Sequence, residues 1–356
     1  MRMSQAYFNG PIFTGNEILP NHAVLVDNDR ITAVVSQDQI PSHYVKSDLH
    51  GKMLAPALID LQIYGGNGKM FSQETTVEAI EYTYEYCKSG GAHHFMITLA
   101  TNSIELFLRG IEVVKAYWAN RGKGLLGLHL EGPFLNKVKK GAHIEEYIHS
   151  PSMEEVKLLM QKGAGVVKMM TLAPECCDPA IVHYLQEQGV LISAGHTNAT
   201  YKEATDAFDR GIPLATHLYN AMSGLQHRAP GVVGAIFDHS SVCSSVVCDG
   251  IHVDFAAVRI AKEIMKERLF YITDAVAASN GGGYTHEFRG DHYALPDGTL
   301  SGSALTMMKC VENGVKHLGI SLEESLRMAS TYPAQFLKDR KLGRIEKGFE
   351  AEFIVL

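Results

Sequence analysis

Glu131, His196, His217 and Asp274 are the residues of this chain whose types and placement could do chemistry together. Each lies near the end of a short apolar run: Glu131 in "LLGLHLEGPF", His196 in "GVLISAGHT", His217 in "IPLATHLYN" and Asp274 in "LFYITDAVA". A carboxylate with two imidazoles is a ligand set typical of catalytic zinc, and it leaves a coordination position open for water. Asp274, from a further strand, would stand across the same mouth as a proton carrier for that water. Taken singly, a His or Asp at a strand end is more often a hydrogen-bonded structural residue or a helix cap than a ligand. The four gain meaning only if the fold brings the ends of their runs to one place.

The surrounding pattern predicts such a fold. Eight nearly continuous apolar runs alternate with helical stretches, the pattern of parallel strands buried on both faces. Besides the four above they are "LAPALIDLQIYG", "AHHFMITLAT", "GVVKMMTLAPE" and "SSVVCDGIHV". Intervening segments such as "TTVEAIEYTYEYCKSG" and "TYKEATDAFDRG" carry apolar residues at helical spacing and end in Gly, a usual helix stop. The fold class is therefore α/β, with a (β/α)8 TIM-type barrel over residues 55–342, whose C-terminal strand ends face a single pocket. An open doubly wound sheet is the alternative, but no Gly-rich dinucleotide turn follows the first strand. Residues 1–54 read as short strands with a hairpin turn at Asp27-Asn28-Asp29, and residues 343–356 read as strand, turn, strand. The N- and C-terminal segments are thus expected to build one small β-sandwich domain beside the barrel.

Other polar residues also close the runs: Asp60 and Gln62 on the first, His129 on the third, Asn220 on the sixth, Asp249 and His252 on the seventh. His129 is expected to point away from Glu131 or to lie one layer deeper, in a structural role. His93 and His94 begin the second run, the wrong end for catalysis, and Met169 and Met170 read as core.

Composition narrows the function classes. The 356 residues are 46% hydrophobic, enough for a sizeable core, and the net charge of -7 leaves no basic footprint for nucleic acid. The start of the chain has no apolar core of signal-peptide length, and nowhere do 18 uncharged apolar residues follow one another. Six cysteines without a C-x-x-C pair fit a reducing compartment. A cytoplasmic protein with no membrane or nucleic-acid partner is expected.

At length the motifs resemble a known family. "HLEGPFLNKVKKGAH" (129–143), "SAGHTNATYKEA" (193–204), "THLYNAM" (216–222), "RAPGVVGAIFD" (228–238), "CDGIHVD" (248–254), "TDAVAA" (273–278) and "DGTLSGSALTM" (297–307) are similar to the N-acetylglucosamine-6-phosphate deacetylases of the amidohydrolase superfamily. The resemblance runs over essentially the whole chain. It implies a barrel with a small β-sandwich, one divalent metal ion per subunit, and hydrolysis of the acetamide of a phosphorylated amino sugar. It makes Glu131, His196 and His217 the metal ligands and Asp274 the catalytic acid and base. It places His143 near the scissile amide, and Leu300 of "LSGS" in the loop lining the acetyl pocket. Asn220, Ala221, Arg228 and His252 resemble the phosphate-binding group, to which a neighbouring subunit contributes in family dimers, so a homodimer is expected. Zinc is the first candidate metal, and Fe, Mn, Co and Ni suit the same ligands. An epimeric substrate such as N-acetylgalactosamine 6-phosphate, or a non-catalytic sugar-phosphate-binding barrel, is the alternative reading.

One stretch departs from the superfamily. Where many amidohydrolases carry His-x-His on the first strand and bind a second metal, "LIDLQIYGG" has Gln62 and Tyr64. Both are poor divalent ligands, so a single-metal site is expected. Gln62 either hydrogen-bonds a group in the vacated position or is a core-layer amide.

Overall fold

The computed structural model describes residues 4–281, 283–337 and 340–356, so residues 1–3, 282 and 338–339 of the expected units lie outside the described residues. Eight parallel strands form one sheet in sequence order: Leu58–Ile63, Ala92–Ala100, Leu125–Glu131, Val167–Leu172, Leu191–Ala194, Leu214–Ala215, Cys243–Val246 and Leu269–Tyr271. They are the eight runs counted from sequence. The first and last approach through single contacts past their ends, Asp274 N–H to Gln62 O at 3.0 Å and Tyr64 N–H to Ala275 O at 2.9 Å. That seam nearly closes the barrel.

Apolar content explains the strands. Every residue of Leu58–Ile63 and of Leu125–Glu131 is buried, because helices cover one face and the barrel interior the other. The interior is not wholly apolar. His129 lies one layer below Glu131 and bridges Thr171 Oγ1 (2.8 Å) and Thr98 Oγ1 (3.4 Å), which satisfies both ring nitrogens. Met169 and Met170 are core, as expected.

The helices start where the sequence offers capping side chains. Thr76 accepts from Ala79 N ahead of Val77–Ser89, and Ser103 accepts from Leu106 N ahead of Ile104–Ala119. Thr200 and Glu203 form a reciprocal capping box at Tyr201–Asp209, satisfying orphan donors of its first turn.

Beside the barrel, one four-stranded sheet is formed by Ser4–Phe8, His22–Asp27, Arg30–Ser36 and Val45–Asp48. A second joins Ile12–Phe13, Ile18–Leu19 and Leu54–Pro56 to Phe353–Val355 from the other chain end. Val24, Val26 and Ile31 of the first sheet pack with Ile12 and Leu54 of the second and with Ile345. The Asp27↔Arg30 pairing places the turn at Asn28-Asp29, with Asn28 at φ 57°.

A further element has no counterpart among the runs read from sequence. Ser279–Gly281, Tyr284–Phe288, His292–Ala294 and Leu300–Ser303 form a four-stranded antiparallel meander after the eighth barrel strand. Tyr284 Oη donates to Thr101 O at 2.7 Å, which ties the meander to the end of the second strand. Among the described residues no helix is long and apolar enough to cross a membrane.

The two histidines at the start of the second strand are far from the strand's C-terminal end. His93 pairs with Glu352 at 2.8 Å, while both nitrogens of buried His94 lack a hydrogen-bond partner among the described residues. Burial pushes the His94 imidazole down to about 4, below its ordinary 6.5. Between those values the unfolded chain takes up a proton that the folded one refuses, so stability present above pH 6.5 is lost as pH falls toward 4. His94→Leu is expected to remove on the order of 3 kcal/mol of that pH dependence. The check is the thermal midpoint at pH 7.5 and pH 5; an equal drop in both proteins would contradict it.

Candidate metal and catalytic site

At the C-terminal end of the barrel, a cleft of about 780 Å³ is lined by Tyr64, Glu131, His143, His196, His217 and Asp274, among others. Asn220, Ala221, His252 and Leu300 line it too. Four strand ends therefore deliver the residues singled out from sequence to one place. Glu131 is the last residue of its strand, whereas His196, His217 and Asp274 lie just past Ala194, Ala215 and Tyr271.

These loops bend sharply. His196, His217 and Asp274 have φ of 48°, 37° and 54°, a left-handed conformation costly for residues with side chains. Such strain persists only where surrounding bonds fix it. Gly195 makes the approach to His196 possible: a Cβ there would lie 2.6 Å from Thr171 Cγ2 and 2.9 Å from Thr216 Cβ. Beneath the bends, Thr171, Thr216 and Ser193 join hydroxyls at 2.8 and 2.6 Å. His217 N–H donates to Ser245 Oγ at 2.8 Å.

Glu131 sits at the centre. Its Oε1 is 3.1 Å from His217 Nε2 and 3.4 Å from His196 Nε2, and those two nitrogens are 3.1 Å apart. Its Oε2 is 3.2 Å from His143 Nε2 and accepts from Tyr64 Oη. Gln62 Nε2 reaches Tyr64 Oη and Asp274 Oδ1, each at 2.8 Å, and Glu131 Oε1 at 3.1 Å. Of Gln62's two sequence readings, the structure favours the one that bonds polar groups at the cleft.

Protonation follows from the partners. Burial by itself would raise the Glu131 carboxyl; the interactions with His143, and then with His196 and His217, outweigh it and hold it well below the usual range. Burial raises Asp274, with Glu131 adding to the effect and His217 opposing it. Burial, then Glu131, pushes the Tyr64 phenol well above 10, so it remains a donor. Burial lowers His143 to about 4, and it is neutral near pH 7.

Ligand-type atoms of Glu131, His143 and His196 lie within 4.8 Å of one another, so His143 competes with His217 as a third ligand. The tautomer of His143 argues against it. Thr101 N–H can only donate, and it points to His143 Nδ1 at 3.3 Å with Thr101 Oγ1 at 2.8 Å. His143 Nδ1 therefore accepts, and Nε2 carries the proton that faces Glu131. His196 is reversed: Nδ1 donates to Lys139 O at 2.9 Å, which leaves a lone pair on Nε2. Two imidazole nitrogens and a carboxylate oxygen crowd within 3.1 to 3.4 Å, with a second carboxylate near. That donor set fits a divalent cation, with His143 left as a hydrogen-bond donor.

The phosphate-type residues divide. His252 Nδ1 is fixed by Asp249 Oδ2 at 2.6 Å, and Asn220 and Ala221 (φ 47°) line the cleft wall. Arg228 does not join them: it is exposed, in a turn closed by Gln226 and Ala229, and is not among the cleft-lining residues. Leu300 lines the cleft beside Ser301 and Gly302, and Ser301 Oγ meets His286 Nδ1 at 2.8 Å. The bonds of Tyr64, the meander's Tyr284 and His286, and the tautomer of His143 are features that sequence reasoning missed. For Tyr64 a signal existed: it is two residues from Gln62 and so shares its strand face.

Comparison with known proteins places this geometry. The amidohydrolase family model matches residues 53–356, and the NagA composite domain model matches residues 6–54. An N-acetylglucosamine-6-phosphate deacetylase of Haemophilus influenzae is 35% identical, covering 99% of this chain and 95% of its own. The crystal structure of N-acetylglucosamine-6-phosphate deacetylase from Pasteurella multocida superimposes with a TM-score of 0.95 at 36% identity, covering 99% of this chain and 95% of that one. A mutant of the Mycobacterium smegmatis deacetylase, solved in complex with N-acetyl-D-glucosamine-6-phosphate, has a TM-score of 0.91 at 29% identity, with the same coverage.

Because a Cβ at residue 195 must displace Thr171 or Thr216, Gly195→Ala is expected to destabilise by about 1–3 kcal/mol. Calorimetry checks this; a thermal midpoint equal to that of the unsubstituted chain would refute the packing argument.

Proposed function

The chain belongs to the amidohydrolase family, and on that premise we propose that it hydrolyses N-acetyl-D-glucosamine 6-phosphate to acetate and glucosamine 6-phosphate. One observation carries the reading: His196 Nε2, His217 Nε2 and Glu131 Oε1 converge within 3.4 Å, in the cleft that Asp274 also lines. Relatives that match nearly the full chain carry the name of this activity.

Glu131, His196 and His217 would hold one divalent ion per subunit, zinc first, with Fe, Mn, Co or Ni suited to the same donors. Such an ion supplies Lewis acidity, polarising the acetamide carbonyl and acidifying water. The chain's own groups do the rest. Asp274 takes the proton of the attacking water and returns one to the departing amine nitrogen. Its depth in the protein, which raises the carboxyl, suits a group that must carry a proton in mid-reaction. His143, whose Nε2–H rests on Glu131 Oε2, would orient the sugar or turn that hydrogen to the carbonyl oxygen as it gains charge.

The sugar phosphate would meet Asn220, Ala221 and His252 from this chain. Arg228, exposed here, would serve the partner subunit's cleft in a homodimer, where its planar fork can hold a phosphate in bidentate fashion. Exposed Leu225 in the same loop supports that face as a subunit contact. Leu300, with Ser301 and Gly302, would line the acetyl pocket. The same reading treats residues 1–54 with 343–356 as the supporting β unit, 55–342 as the catalytic barrel, and the cytoplasm as its compartment.

Asp274→Asn is expected to lower turnover by at least about 10²–10⁴-fold while leaving the metal content unchanged. Acetate release from N-acetylglucosamine 6-phosphate and its galacto epimer, with elemental analysis of the same samples, is the measurement. Acetate released faster from the epimer would reassign the substrate, and none from either would overturn the proposal.

A further inference from the structure

We propose that Tyr64 is a positioning residue that makes Glu131 a one-oxygen ligand, by engaging Oε2 and leaving Oε1 to face His196 and His217. The inference rests on the metal-centre reading of the cleft and extends it to a residue outside the ligand set.

The hydrogen-bond accounts of the two carboxylate oxygens differ. Oε2 receives the Tyr64 O–H and His143 Nε2–H, the latter at 3.2 Å, so its lone pairs are directed at donors. Oε1 has the two histidine nitrogens and Gln62 Nε2 around it. An amide nitrogen has two hydrogens, and Gln62 Nε2 has three acceptors in reach. The two at 2.8 Å, Tyr64 Oη and Asp274 Oδ1, take those hydrogens, and Oε1 at 3.1 Å is left with lone pairs free toward His196 and His217. The Tyr64 hydroxyl thus accepts from Gln62 while donating to Glu131. It is the only phenol among the described residues that touches the carboxylate, and a phenylalanine could not take its part.

The ring cannot swing away. Its amide donates to Ala275 O at 2.9 Å past the eighth strand, and its carbonyl accepts from Phe71 N at 3.0 Å. Met70, Val276 and Ala277 enclose it in a small apolar cluster. The hydroxyl is therefore held by packing from both sides of the barrel seam, and the first and eighth strands fix the orientation of a side chain on the third. Without the O–H, Oε2 loses a donor and can turn to share a cation with Oε1.

The test uses the full chain loaded with Co(II), whose visible absorption reports coordination geometry. Tyr64→Phe keeps the ring packing and removes the hydroxyl. Expected are a weaker visible band, as Glu131 becomes bidentate and the coordination number rises, and cobalt release to a chelator about 10–100-fold faster. KM should change little beside kcat. A spectrum identical to that of the unsubstituted protein overturns the proposal, whatever turnover does. If the unsubstituted chain takes up no cobalt, the metal-centre reading falls and this inference with it. If it takes up cobalt and the substitution leaves the spectrum alone, only the role of Tyr64 falls.

Discussion

The Glu131 carboxylate is 2% exposed, and an ionised carboxylate so deep in a protein is stable only where donors and positive charge surround it. Most of the upper barrel is arranged around that constraint. His143 and Tyr64 meet one oxygen, and His196 and His217 meet the other. Gln62 ties the same group to Asp274, which keeps the two carboxyl groups side by side. Five chain segments therefore depend on one side chain, and moving it would leave several buried polar groups without partners.

The constraint also explains where backbone strain is placed. His196, His217 and Asp274 adopt left-handed φ in the bends just past the ends of their strands, where they turn to the cleft that Glu131 shares. An extended continuation would carry these side chains out of the cleft. The hydroxyl layer of Thr171, Thr216 and Ser193 and the bond from His217 N–H to Ser245 supply local support for the bends. The candidate residues thus sit at a strand end or in short hydrogen-bonded bends just past one.

The two imidazoles nearest Glu131 that are fixed by backbone groups show how second partners assign chemistry. His143 and His196 have rings 4.2 Å apart, yet one accepts a backbone N–H at Nδ1 and the other donates to a backbone carbonyl. The first presents a hydrogen to the cleft and the second a lone pair. Identical side chains thus present a donor and an acceptor to the cleft through the peptide groups behind them.

The sequence by itself determined the barrel and the core of its site. Eight apolar runs buried on both faces and alternating with helices pointed to a barrel, and polar residues at the ends of barrel strands share a mouth, so Glu131, His196, His217 and Asp274 were legible without coordinates. It also marked Gln62-Ile63-Tyr64 as a departure from a two-metal pattern. Tertiary structure decided what depends on distance between segments remote in the chain. The hydroxyl of Tyr64 meets a carboxylate 67 residues away, and the tautomer of His143 is set by a peptide 42 residues away. The meander that ends in the Leu300 loop, and the placement of Arg228 outside its own cleft, are likewise matters of packing. Periodicity reports which face of an element is buried, and it carries no information about which two faces meet.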